Sequence, residues 1–261
     1  MTSTIPAPLP AIEWEVPLVN PSPSGLYTAT SWTEVTGPSR FLGEGVRFRS
    51  HNYGGESAFG VWDAEWCVDP DGQLKTGERP GFLDPFAPIT VWAYDECDLT
   101  APSQAEVRER ATQNMRLQEQ TAVERELAER LLIDGGTPAT AESLADAVAH
   151  LEQLLAMTNT VGYIHASAQW AAVASRSSLR SGSALKTPMG HTWVFGGGYV
   201  KGLGDTLVAT SPTYGWRDAV EVRESLDFQR NRFVVVAERS VVVGYEHCVG
   251  AATVTEDTTV P

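Results

Sequence analysis

Residues 103–132, SQAEVRERATQNMRLQEQTAVERELAERLL, run thirty positions without a glycine or a proline. Ser103 followed three residues later by Glu106 has the spacing of a capping box, so a helix is predicted over 103–132. At about 1.5 Å per residue this rod is roughly 45 Å long. Val107, Ala111, Met115, Ala122, Leu127 and Leu131 form a thin apolar stripe, and six glutamates with five arginines (Arg108, Arg110, Arg116, Arg125, Arg130) fill the remaining faces. Glu106 to Arg110 and Glu126 to Arg130 have the favourable spacing of four. A coiled-coil heptad breaks at Asn114, Gln118 and Gln120, so the rod is expected to lie on a sheet.

Upstream, ITVWAYDECDL (89–99) reads as a strand with Ile89, Val91 and Ala93 on one face and Trp92 and Tyr94 on the other, both faces expected to be covered. Before it, Val46 and Phe48, then Phe59 and Val61, alternate on either side of Asn52-Tyr53-Gly54-Gly55, which predicts a projecting β-hairpin within residues 40–80. Two strands alone are marginal, so this ribbon needs something to lean on. Residues 1–39 carry seven prolines and should run extended, yet Ile12, Trp14, Val16, Leu18, Leu26, Tyr27 and Trp32 are too apolar for a solvated tail. The segment is expected to lie along a surface, its own or a neighbour's.

Downstream, Gly135-Gly136 ends the rod, and Pro138 precedes a helix over 141–157 with Leu144, Ala147, Val148, Leu151, Leu154 and Leu155 on one face. A buried strand (161–166), a short helix (167–175) and strands beginning near 192, 205, 218, 232, 240 and 248 complete an α+β order.

The chain's 261 residues, 42% hydrophobic, suffice for a large core, and a net charge of −14 argues against a grip on nucleic-acid phosphates. Arg176, Arg180 and Lys186 are the one local basic cluster, read as a solvated loop. Cys67, Cys97 and Cys248 lack CxxC spacing and read as reduced thiols. No basic segment opens the chain, so no export signal is expected, and no apolar run reaches the roughly 20 residues of a membrane span.

The glycine-rich VFGGGYVKGLGD (194–205) fails as a phosphate loop because Leu203 stands where a lysine is required, and it fails as a dinucleotide fingerprint because position 201 is Lys201. It reads as a tight turn between two strands. The five histidines are scattered, without a metal-ligand spacing, and His247 beside Cys248 in a strand would point to the opposite face. No cofactor and no catalytic constellation is expected; a hydrolase built on His165 or His191 is the weakest alternative.

The order of parts, with VWAYDECDLTAP, RERATQNMRLQEQTAVERELAERLL, YIHAS, LKTPMGHTWVFGGGY and NRFVVVAERSVVVGYEHCVGAATV, resembles the major capsid proteins of tailed bacteriophages with the Hong Kong 97-like fold, actinobacteriophage type. The resemblance implies an N-terminal arm (1–39), an extended β-hairpin loop (40–80), a peripheral domain (81–135 and 215–240) around the spine helix, and an axial domain (136–214 with 241–261). It implies a non-enzymatic subunit that assembles with itself into hexamers and pentamers of an icosahedral shell around double-stranded DNA, without sequence-specific binding and without a membrane. Scaffold, portal and decoration proteins would be further partners, with assembly in the host cytoplasm and residence in the virion. The related alternative is an encapsulin-like bacterial compartment shell. Inter-subunit contacts are expected at Trp14, Leu18, Tyr27, Trp32, Arg47, Arg49, Tyr53, Phe59, Arg108, Arg116 and Arg125. Lys75 falls in the loop, but no crosslinking partner is identified.

Overall fold

In the computed structural model the described residues are 11–36, 43–63, 65–69, 74–180 and 185–255; the outermost part of the expected arm and the last six residues lie outside them. The long helix is α2 (Ala101–Asp134), preceded by α1 (Leu26–Ala29), β1 (Ser31–Glu34) and β2 (Ile89–Cys97). After it come β3 (Ala139–Ala141), α3 (Leu144–Thr158), β4 (Tyr163–Ser167), α4 (Trp170–Arg176), β5 (Thr192–Gly196), α5 (Tyr199–Gly202), β6 (Thr206–Thr210), β7 (Thr213–Arg217), β8 (Glu221–Asp227), β9 (Arg232–Tyr245) and β10 (Cys248–Val254).

The predicted capping box does not form. The helix starts two residues earlier, at Ala101, with Thr100 as N-cap and Pro102 in the first turn, where the missing N–H costs nothing. Asp98 Oδ1 accepts from the Thr100 N–H at 2.8 Å and from its hydroxyl at 2.7 Å, and that hydroxyl also contacts Ser103 Oγ. Ser103 thus sits inside the helix. The buried face is broader than the expected stripe, since Glu119, Val123, Glu124 and Ala128 are also buried. Glu106 pairs with Arg110 at 3.3 Å as its spacing predicts, whereas Arg130 turns to Asp134 at 2.7 Å instead of Glu126. Arg130 also donates to the carbonyls of Asp84 and Pro85 and lies 4.3 Å over Phe86, which fastens the returning end of the loop to the helix.

Two sheets share α2. In the first, the fourteen-residue β9 is paired along one edge by β2 (Ile89 with Val241 through Cys97 with Phe233) and along the other by β8 and then β7; β1 adds in parallel to β7. The strands expected at 232 and 240 are therefore one, because Glu238-Arg239-Ser240 continues the ladder. Beneath this sheet Met115, Val123 and Leu127 of α2 pack against Val91, Ala237, Val241 and Val243. The opposite face of β2 is not covered: Trp92 and Tyr94 are largely exposed, against expectation, since the helix shields only one side.

The second sheet has the order β3-β10-β6-β4-β5. Its strands alternate between two cores with the period of two that side chains of a strand impose. Leu207, Ala209, Ile164, Trp193, Phe195 and Ala252 face α3 and α4, while Val208, Val194 and Ala251 face α2. Covered on both sides, these strands read as nearly continuous apolar runs. Ser143 caps α3, accepting from the Asp146 N–H, and Leu144, Ala147, Val148, Leu151 and Leu155 are buried, with Leu154 half-buried.

Among the described residues of the loop no hairpin ladder forms. Among the described residues between Val46 and Phe86 there is one bridge, joining those two, and a short 3-10 turn at Glu56–Ala58. The alternation is in the sequence, but a pair of limbs without a third surface gains too little burial to order into a ribbon.

Candidate functional site

Polar chemistry in the core converges on Glu124, which is fully buried on α2. Its Oε1 accepts from the Leu26 N–H at 3.0 Å and its Oε2 from the Gly198 N–H at 2.8 Å, with Gly197 a further backbone donor. Burial raises the pKa of this carboxyl, and the backbone donors pull against that rise. One side chain thereby joins the arm, the long helix and the glycine-rich segment.

The glycines explain that junction. The segment expected to be a simple turn between strands instead carries α5 and lies directly on α2. A β-carbon at Gly198 would fall 2.2 Å from the Thr121 carbonyl oxygen, and one at Gly202 would fall 2.4 Å from the Ala128 side chain. Glycine is needed here for close backbone approach rather than for a phosphate.

His165 lies on the same sheet, fully buried. Thr210 gives its hydroxyl proton to the Ser211 carbonyl at 2.8 Å, so it accepts from His165 Nε2–H at 2.9 Å, leaving Nδ1 to accept from the Tyr199 hydroxyl at 2.9 Å. Burial lowers the pKa of this imidazole to about 3. His191 is 4% exposed, and its Nδ1 accepts from the Gly162 N–H at 3.2 Å. Neither imidazole is presented to a substrate. Among the described residues no group of three or more metal-ligating side chains gathers, the three cysteines are free thiols, and no helix is long and apolar enough to cross a membrane.

The remaining surface is where the expected contact residues stand. Residues 19–26 run along α2: Gln113 donates to the Val19 carbonyl at 2.7 Å, Arg116 to the Asn20 side chain, and Gln120 to the Ser24 carbonyl at 2.8 Å. The arm's backbone is thus held by its own helix, but Trp14 is 80% and Leu18 56% exposed. Phe59 on the loop is 77% exposed, and Arg47, Arg49 and Arg125 are exposed as well. Five residues expected to reach neighbours find partners at home. Tyr27 donates to Glu119 at 2.6 Å and meets Trp32 edge-on; Trp32 Nε1 donates to the Tyr27 carbonyl. Arg108 forms a two-pronged pair with Glu224, Arg116 holds Asn20, and Tyr53 stacks on His247. Except for Trp32, held by Tyr27 five residues away, these roles follow from long-range pairings that local spacing does not encode. Of the basic cluster, Lys186 donates to Thr192 at 2.7 Å, and residues 181–184 lie outside the described residues.

The architecture of a sheet on one long helix, a second sheet sandwiched at its end, an extended arm and a long loop is shared with solved structures. The capsid of Ralstonia phage GP4 aligns over 100% of both chains at 11% identity, with a TM-score of 0.51. The chain has the fold of a phage capsid subunit. A chain of Microbacterium phage Oxtober96 aligns over 95% of this chain and 96% of its own length at 11% identity (TM-score 0.51). A virus-like particle from Pyrococcus furiosus aligns over 88% and 91% at 6% identity (TM-score 0.51). No protein-family model and no curated relative matches. The capsid fold agrees with the Hong Kong 97-like α+β reading of the sequence, and within it Glu124 and the glycine segment are framework.

Proposed function

We propose that this chain is the structural subunit of an icosahedral head shell that encloses the double-stranded DNA of a tailed phage. One coincidence carries the reading: a fold aligned end to end with a phage capsid chain occurs together with an arm and a loop that leave large apolar side chains, Trp14, Leu18 and Phe59 among them, exposed on the subunit. Groups such as Trp14, Leu18 and Phe59 gain burial only against another copy, at about 25 cal/mol per Å² of apolar surface covered. The exposed Arg47, Arg49 and Arg125 are the polar contacts of the same interfaces. The two sheets support a division into arm, loop, peripheral and axial parts, with β7 and β9 each whole in the first sheet and so running past the expected limits at 215 and 240. Hexamers and pentamers are the assembling units and the virion is the destination. Scaffold, portal and decoration proteins are partners of such a shell, and the packaged DNA is enclosed without base-specific contacts. The subunit performs no catalysis.

Negative-stain microscopy of the purified chain tests this, with uniform closed particles or capsomers expected. A monodisperse monomer at high concentration overturns it. The likeness to the virus-like particle supports a second reading, a protein-filled compartment shell. A protein cargo co-purifying in nucleic-acid-free particles would favour that over a phage head.

A further inference from the structure

Between Ser50 and Gly81 the chain leaves the body and returns, and the hold on its base is narrow. The Glu246 carboxylate, in the turn between β9 and β10, accepts through Oε1 from the His51 N–H at 2.7 Å, the Asn52 N–H at 2.9 Å and the Ser50 hydroxyl at 3.1 Å, and through Oε2 from the Asn52 amide at 2.7 Å. Burial alone would raise its pKa, but these donors more than offset that and hold it below the usual carboxylate range. Beside it the Tyr53 ring stacks on His247 with centroids 4.8 Å apart and planes at 19°.

Past Tyr53 the loop holds mainly to itself. Ser57 Oγ donates to the Glu78 carbonyl at 3.5 Å, a β-carbon at Gly77 would fall 2.2 Å from the Ser57 carbonyl oxygen, and the Lys75 ammonium lies 4.9 Å over Trp62. An open groove lined by Phe59, Pro80, Leu154, Met157 and Val249 separates it from the body. Gly55, at φ +73°, and Gly81 stand just beyond the base on the outgoing and returning limbs, with open space where a side chain would be.

We propose that the Glu246–His247 turn is a releasable clamp that sets the direction in which residues 54–80 leave the body, the two limbs swinging together about Gly54-Gly55 and Gly81 when it opens. Only the consequence rests on the shell reading: the loop's direction decides which neighbour it reaches, and so the curvature of the particle.

The test uses the unassembled full chain with spin labels at the exposed native Cys67 and at Ala156→Cys, in a Cys97→Ser background; the Cys248 thiol, raised to about 12 by burial, stays unlabelled. Pulsed electron–electron resonance is expected to give one narrow distance distribution for the parent. Glu246→Ala, Glu246→Gln and His247→Ala should each widen or displace it while far-UV circular dichroism is unchanged, and Glu129→Ala, an exposed carboxylate on α2, should leave it alone. If Glu246→Ala does not fold, the other two variants decide. An unchanged distribution in those that fold overturns the clamp, whether or not particles form. Absence of particles from the parent overturns the shell reading and leaves the distance result standing.

Discussion

Glu124 is one of the few positions where a charge-bearing side chain is fully buried, and its role follows from the donors around it: backbone N–H groups of the arm and of the glycine segment that would otherwise be orphaned. Glu124→Ala should destabilise the chain by about 1–3 kcal/mol for each buried donor left unpaired. Glu124→Gln keeps one acceptor oxygen but sets its amide –NH2 against the other backbone donor, so it should recover only part of that loss; urea denaturation checks both. Gly198→Ala should cost about 1–3 kcal/mol, because the atoms it meets are the backbone of α2 at Thr121 and Arg125 and the Glu124 β-carbon, which have nowhere to move. His165 resists protonation because burial disfavours its charged form. Its pKa falls from 6.5 to about 3 on folding, so the unfolded chain takes up a proton that the folded chain refuses. The stability this neutral imidazole contributes is complete above about 6.5 and is lost as the pH falls towards 3. His165→Gln should flatten the pH dependence of the unfolding free energy across that window by up to about 1.4 kcal/mol per pH unit, measured by urea denaturation at a series of pH values.

At the scale of elements, the part that local periodicity controls was readable. The rod at α2, the apolar face of α3 and most strands of the second sheet follow from spacing, cap and glycine stops. Leu151→Ala on that α3 face should cost about 2–5 kcal/mol, measured by thermal or urea unfolding. The misses differ in cause. β1 and β7 are short strands made by pairing between Ser31–Glu34 and Thr213–Arg217, residues far apart in the chain, and no local pattern announces such a ladder. The Ser103–Glu106 box matched its motif, but Thr100 and Pro102 supplied a better start two residues earlier. The loop shows the reverse: Phe48, Phe59 and Val61 alternate like strand residues, yet a lone ribbon has no surface on which to order. Of the expected contact residues, exposed apolar Trp14, Leu18 and Phe59 were legible as unsatisfied burial, while Tyr27, Trp32 and Arg108 are held by partners roughly a hundred residues away or by backbone, which spacing alone does not disclose. Removing residues 1–18 should leave the melting temperature nearly unchanged, because among the described residues the arm's anchoring hydrogen bonds begin at Val19, but should abolish particle formation as followed by sedimentation velocity.

The whole molecule joins a completed core to an incomplete surface. Two sheets and the helices packed on them bury their apolar faces within one subunit, while the arm and the loop expose large side chains that a solitary chain gains nothing by displaying. The acidic balance, −14 over the chain, fits a container that encloses a polyanion without holding its phosphates. The most direct test is a cryo-electron-microscopy map of the assembled particle at side-chain resolution, read at Trp14, Leu18 and Phe59. The account predicts each of these covered by a neighbouring copy; a map leaving them in solvent, or a protein that yields no particle to image, would contradict it.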